Sequence, residues 1–354
     1  MTNSNQTTAR KPGIPAEQKP VPLALTARIS TLASNQSTIL IGVMVLLIVV
    51  FSVLEPKFFS ALTASNILTD WGSVVLIAVG QTFVVISGGI DLSVGAIIGL
   101  SGVVSAWTMA NVLKVDQTVS GADASGPLLI GTLVSVGVGL LVGLTNAFLI
   151  NKLRIVPFIA TLSTMGAALG LSVIISSGQP IGSANNFSLI AAIDPKTNPL
   201  SWALIVVIVV VTIAGLFLHK ARFGLYTYAI GSNTFAARGA GINVERHLTL
   251  VYALSGALAG LAGMYVYLRL GAGSPSSGTG RELDAIAAVV IGGASLMGGI
   301  GRIWGTVLGA LILFTVQSGL IMVGVAPDWK KVVVAILIAA AVAAQTLQSK
   351  NGRK

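Results

Sequence analysis

Ten apolar runs follow one another along this chain of 354 residues, and almost no charge falls inside them. They cover residues 38–54, 71–87, 92–112, 127–150, 155–176, 200–218, 248–268, 283–296, 303–325 and 332–347. A bilayer is crossed by about 20 consecutive apolar residues in helical form. Only 9% of the residues are charged, against about 25% in soluble domains. So little charge cannot cover a surface this size in water, so most of the surface must face lipid. The expected fold class is all-α, a polytopic membrane helical bundle of about ten transmembrane segments. The eighth run is short and a glycine-rich interruption precedes the third. Both are expected to be broken or re-entrant helices.

Basic residues favour cytoplasmic loops. With the N-terminus inside, twice as many Lys and Arg fall inside as outside, and Lys330 and Lys331 are the main exceptions. Both termini are therefore expected to be cytoplasmic. Residues 1–37, polar and carrying Pro12, Pro15, Pro20 and Pro22, read as a cytoplasmic tail with a short interfacial helix near 23–33. Residues 38–347 read as the transmembrane permease domain and 348–354 as a cytoplasmic C-terminal tail. The first apolar run starts late and is followed by Glu55-Pro56 rather than small residues, so no cleavable signal peptide is expected.

Several chemistries are missing. No cysteine is present, which removes disulfides, thiolate metal sites and a Cys nucleophile. With only His219 and His247, a multi-histidine metal site is not expected. No Gly-Lys dipeptide occurs, so there is no phosphate-cradling P-loop. The net charge of +10 is dispersed in short groups between the apolar runs, without the basic face that binds nucleic acid. Ion-coupled carriers bury ionisable side chains to bind the ion, and these runs hold almost none at mid-depth. That pattern fits a permease for a neutral solute whose energy comes from elsewhere.

Two glycine-rich breaks resemble each other. Residues 84–100 read VVISGGIDLSVGAIIGL and residues 289–308 read VVIGGASLMGGIGRIWGTVL. Both have the same orientation in the expected topology, which makes them a parallel repeat. Broken helices in transporters place helix ends along the permeation path. The plainer alternative is a pair of tight turns that only glycine tolerates, with Asp91 as N-cap of a helix starting at Leu92. Gly-xxx-Gly spacings at Gly95–Gly99, Gly139–Gly143, Gly256–Gly260 and Gly305–Gly309 let helices approach closely. The polar residues Gln81, Thr82, Asn146, Thr161, Ser163, Thr164 and Gln317 within the runs either bond a neighbouring helix or their own backbone, or line a sugar path. Residues 219–247 combine Arg222, Arg238 and Arg246 with Gly231, Gly239 and Gly241, and the segment is long enough for a surface helix on which a partner could push.

Longer motifs carry a resemblance. FVVISGGIDLSVGAIIGLSG (83–102), PFIATLSTMGAALGL (157–171), RFGLYTYAIGSNTFAARGAGINV (222–244), LSGALAGLAG (254–263), SGTGRELDAIAAVVIGGASLMGG (277–299) and the GRIWGTVLGALIL that follows occur in order. Through these the chain resembles the ribose-type, or simple-sugar, permeases of bacterial binding-protein-dependent ABC importers. The resemblance implies a permease in the bacterial cytoplasmic (inner) membrane, not an enzyme, with no cofactor of its own. Its partners would be a cytoplasmic ABC ATPase using ATP and Mg, an extracytoplasmic sugar-binding protein and a second permease subunit, as homodimer or heterodimer, within membrane lipid. The family's ATPase-coupling segment maps onto Ala236, Ala237, Arg238, Gly239, Ala240, Gly241, Ile242, Asn243 and Val244. The GGIDLS and GTG-ELDAIAA segments map onto 88–93 and 278–288. The residues expected along the translocation path are Gln81, Gly88, Gly89, Asp91, Ser93, Thr161, Thr164, Glu282 and Asp284. Three positions depart from the family pattern: Ala240 stands where Ser is usual, Met297 where Ser is common, and Arg281 interrupts GTG-ELD. Arg281 is expected to face outside, where it would tune binding-protein docking or sugar choice. A stand-alone facilitator or secondary carrier, and an ABC permease for nucleosides or branched-chain amino acids, remain the alternatives. A membrane enzyme has little support.

Overall fold

Residues 36–115, 125–182, 202–326 and 329–351 are described by a computed structural model. The interfacial helix expected near 23–33 lies outside the described residues. The rest is helical, as expected. The helices are α1 (Gln36–Leu54), α2 (Ala61–Ile86), α3 (Val94–Trp107, prolonged by a π-helical turn, Thr108–Val112), α4 (Ser125–Asn151), α5 (Pro157–Ser176) and α6 (Trp202–Lys220). After them come α7 (Arg222–Ser232), α8 (Thr234–Gly239), α9 (Val244–Leu270), α10 (Arg281–Ile291), α11 (Ile303–Met322) and α12 (Trp329–Asn351). The strands β1 (Ile181–Gly182) and β2 (Ala272–Gly273) form a two-residue antiparallel pair, Ile181 opposite Gly273.

Among the described residues, 8 helices are long and apolar enough to cross a membrane: α1 to α6, α9 and α11. The eighth apolar run is α10, whose 11 residues rise only about 16 Å and cannot span the hydrocarbon. In α12 the apolar stretch is Lys331–Ala340. One boundary differs widely from expectation: α2 begins at Ala61 rather than near Trp71. Its first turns carry Thr63, Ser65 and Thr69, which hide it from a hydropathy reading although all three are buried. Ser60 caps it by accepting the Thr63 N–H at 3.2 Å.

α2 is the central post. Every residue from Trp71 to Ile86 is buried, and α9, α11, α10 and α6 surround it. α9 packs most extensively against α4, then against α2 and α3. α1 stands at the rim and exposes Leu46, Val49 and Val53. Exposed aliphatic side chains are stable there because lipid is their solvent and the helix satisfies its own backbone. All four Gly-xxx-Gly pairs mark close backbone approaches: Gly139 and Gly143 face Gly256 and Gly260 between helices, Gly305 and Gly309 face Gly292 and Ala288, and Gly95 and Gly99 face Gly278 and Pro275 in the turn before α10.

Candidate functional site

The two glycine-rich breaks are the same structure. α2 and α10 both end in a left-handed glycine, Gly88 and Gly293, each at φ +87°. Gly88 donates to the Val85 carbonyl and Gly293 to that of Val290, both at 2.9 Å. One residue on, Gly89 donates to Val84 (2.9 Å) and Ala294 to Val289 (3.1 Å). Only glycine takes this φ without strain, and the bonds satisfy the last carbonyls of each helix. At the N-terminal end of α10, Arg281 reaches Ser73 of α2 (2.5 Å), and beyond its C-terminal end Gly299 reaches Ile86 of α2 (2.8 Å). The two helices therefore run in the same direction, and the repeat is parallel.

After Gly88 the chain turns back beside α2 without forming helix, and α3 starts only at Val94. This segment holds a buried polar network. Asp91 Oδ1 accepts from the Ser93 N–H (3.0 Å) and the Ser93 hydroxyl (2.6 Å). Its Oδ2 accepts from Ser255 of α9 (3.0 Å). Asn146 of α4 donates to Ser93 Oγ (2.8 Å), and Thr164 of α5 donates to Asn146 Oδ1 (2.5 Å). Thr161 donates to the Ile90 carbonyl (3.3 Å). In the amide orientation that satisfies both groups, Gln81 donates to the Asp91 carbonyl (3.1 Å) and accepts from its N–H (3.2 Å). Asp91, Ser93, Gln81, Asn146, Thr161 and Ser255 are wholly buried. Gly89 lacks a side chain because the Tyr252 hydroxyl occupies that place.

Asp91 is not the N-cap of the plainer alternative. The cap position of α3 is Ser93, whose side chain makes no capping bond. Asp91 instead closes a turn onto Ser93 and ties the break to α9. Ser255 was invisible as a site residue because a run of small residues surrounds it. The signal available was a serine inside LSGALAG at 254–260. If Ser255 anchors Asp91, Ser255→Ala is expected to destabilise the chain by about 2 kcal/mol, as loss of a buried bond to a carboxylate does. Ser163→Ala, whose exposed hydroxyl bonds only the Ile159 carbonyl of its own helix, is expected to leave thermal unfolding unchanged.

The remaining expected path residues lie on α10. Glu282 stands over Gly95, two residues beyond Ser93, and Asp284 is buried with Gln317 at 3.4 Å. Nearby, Arg269 pairs with Asp70, Tyr265 donates to the Thr69 carbonyl (2.9 Å), and Arg281 bonds Ser73 and the Ser277 carbonyl (3.3 Å). Arg281 is thus held inward against α2. Two cavities lie apart from the polar network and are almost wholly apolar. One of about 200 Å³ is lined by Leu76, Trp202, Val206 and Leu261, the other of about 480 Å³ by Ile48, Phe59, Ile67 and Leu311.

Residues 219–247 form two short helices at the end of the bundle where both breaks lie. Asn233 caps α8 by accepting the Ala236 N–H (3.0 Å), and Asn243 caps α9 by accepting that of Arg246 (2.9 Å). Gly241, at φ +83°, makes the turn between them. Ala237 is buried against Ile230 and Val244, with Ile242 packed beside them. Ala236, Arg238, Gly239, Gly241 and Asn243 are exposed. Phe235, which sequence reasoning passed over, is 86% exposed on α8. Tyr228 on α7 donates to the Gly301 carbonyl (2.7 Å); burial raises its hydroxyl pKa against the opposing pull of Arg302, so the hydroxyl stays a neutral donor.

The family model for the permease component of the branched-chain amino acid transport system matches residues 63–342. The ribose import permease protein RbsC of Bacillus subtilis (strain 168) is 40% identical over 298 residues, which is 84% of this chain and 88% of that protein. Its namesake in Escherichia coli (strain K12) is 37% identical over 305 residues, 84% of this chain and 90% of that one. The galactose/methyl galactoside import permease protein MglC of Salmonella typhimurium is 34% identical over 316 residues, 87% of this chain and 94% of its own length. No solved structure matches.

Proposed function

The chain belongs to the family of branched-chain amino acid transport system permease components, and on that premise we propose that it is the membrane subunit of an ATP-driven sugar importer in a bacterial cytoplasmic membrane. The observation that carries this reading is similarity along nearly the whole length of two kinds of sugar import permease, for ribose and for galactose. The chain supplies no chemistry of its own. It forms a gated path, and a separate ATPase, using ATP and Mg, drives it.

The geometry supports a division of labour. The α7–α8 end carries Arg222, Arg238 and Arg246; Asn151, which precedes Lys152, bonds the Glu245 carbonyl, and Arg302 acts on Tyr228, so the positive-inside tendency supports reading this end as cytoplasmic. There Ala236, Ala237, Arg238, Gly239, Gly241, Ile242 and Asn243 would meet the ATPase. Phe235 is the aromatic anchor, since a large exposed ring beside a cation is what interface centres use. The opposite end, with Arg269 and Arg281, would receive a sugar-loaded binding protein. Gln81, Gly88, Gly89, Asp91, Ser93, Thr161, Thr164, Glu282 and Asp284 border the path. In this conformation Gln81, Asp91, Ser93 and Thr164 belong to one buried hydrogen-bond network, whereas Gly88 is exposed and Glu282 half-buried. A second permease subunit, taken as an identical copy, completes the passage.

The test is uptake of labelled ribose and galactose into proteoliposomes, with the chain alone and with its ATPase and binding protein. Uptake that requires all components and ATP is the expected result, and the sugar taken up names the cargo. Uptake by the chain alone, indifferent to ATP, would replace the importer with a facilitator.

A further inference from the structure

Three pieces of backbone meet at one point on the α7–α8 end. The carbonyl of Ile86, the last residue of α2, accepts the Gly299 N–H at 2.8 Å. A Cβ placed on Gly298 would stand 3.2 Å from Gly88 Cα and 2.8 Å from the Gly231 carbonyl oxygen. Gly231 lies near the C-terminal end of α7. A Cβ there would strike the Ile86 carbonyl and come within 2.7 Å of the Gly299 nitrogen. One turn earlier, Tyr228 holds the Gly301 carbonyl. Just inside the breaks, the hydroxyls of Thr82 on α2 and Thr306 on α11 are 2.8 Å apart. The first break, the second break and α7 therefore touch through backbone atoms, with only the Ser232 hydroxyl beside Gly299 and the Ile86 side chain beside Gly301 added at the joint.

Such a joint transmits displacement rather than absorbing it, because close-packed backbone has no rotamer in which to yield. Few hydrogen bonds cross it, and small residues line it, so one surface can slide over the other to a second arrangement. On the first break sit Gln81 and Asp91; the second follows α10, which carries Glu282 and Asp284. Sliding one break across the other changes the distance between the two halves of the path. Resting on the permease reading above, we propose that Gly231 and Tyr228 are positioning residues: they carry movement of α7–α8 to the path by shifting the second break against the first.

The test uses a reversible lock in the complete assembly. The chain has no cysteine, so Thr82→Cys with Thr306→Cys introduces one thiol pair where the native oxygens are 2.8 Å apart, within reach of a disulfide. Oxidised, the pair is expected to reduce ATP-driven uptake by about ten-fold or more, and reductant is expected to restore it, since a coupling element is being immobilised. Equal uptake in the oxidised and reduced forms would show a joint that does not move, and would overturn the proposal while leaving the permease reading intact. Should the double variant be inactive even when reduced, Tyr228→Phe decides. It removes one bond without changing shape, and is expected to lower solute moved per ATP hydrolysed by about three-fold or more. An unaltered ratio would overturn the proposal. An unmodified assembly that fails to transport at all would sink both readings together.

Discussion

Replacing Asp91 by alanine is expected to destabilise the chain by about 3 kcal/mol or more and to abolish most ATP-driven uptake in the assembled importer. The carboxylate receives three hydrogen bonds, from the Ser93 N–H, the Ser93 hydroxyl and Ser255. Their fates differ once it is gone. The Ser255 hydroxyl can rotate toward a carbonyl of its own helix, as buried serines in helices do. The Ser93 N–H cannot turn, and a buried unsatisfied amide costs about 1–3 kcal/mol by itself. Ser93 also holds Asn146, which holds Thr164, so its displacement loosens α4 and α5 from the break. Asp91→Asn keeps an acceptor toward Ser93 and a donor toward Ser255. It is expected to melt close to the unmodified chain and to retain most uptake. Thermal unfolding of the detergent-purified chain, set beside uptake by the assembly, separates the two substitutions. An alanine variant as stable as the asparagine one would mean that this network holds nothing together.

Much of this arrangement was legible in the sequence, and the reasons are physical. Apolar runs reported the helices because lipid imposes one solvent along each of them. The run at 283–296 was legible as short because a helix cannot stretch, and α10 is indeed too short to span. The repeat at 84–100 and 289–308 was legible because a left-handed turn demands glycine, and Gly88 and Gly293 adopt the same φ. Other features were hidden for equally definite reasons. The first turns of α2 carry hydroxyls that bond locally or to near neighbours, as Thr69 does to the Ser65 carbonyl at 2.8 Å. A hydropathy reading counts them as loop. The partner of Asp91 lies 164 positions away in Ser255, and no local pattern announces a contact of that span. Phe235 escaped notice because the segment at 219–247 reads through its arginines and glycines. Only its exposure on α8 sets it apart. The meeting of Gly231 with both breaks likewise exists only in three dimensions.

The second large effect is expected at the seam between α4 and α9. A Cβ on Gly139 would fall on the Gly256 carbonyl oxygen and stand 2.7 Å from the Gly260 nitrogen and 2.8 Å from its Cα. The relation is mutual: a Cβ on Gly256 would strike the Gly139 carbonyl and come within 2.9 Å of Gly143 Cα. Every obstructing atom is backbone, so no rotamer change relieves the clash. Gly139→Val must push the helices apart. Lipid tails are as apolar as the side chains, so close packing and polar contacts hold transmembrane helices together. Separation weakens both, including the bond from Ser135 to the Gly260 carbonyl at 2.7 Å. It also reaches the site, because Ser255, the anchor of Asp91, precedes Gly256 on the same helix. We expect Gly139→Val to cost about 3 kcal/mol or more, at the upper end of what overpacking does, and uptake to fall with it. Gly137 provides the control. It lies on the same helix with no atom within 4 Å of an added Cβ, and Gly137→Val is expected to change stability by no more than about 0.5 kcal/mol. Thermal unfolding of both variants reads the seam directly. Equal melting temperatures would show that α4 and α9 do not meet through these glycines, and that Ser255 owes its position to something else.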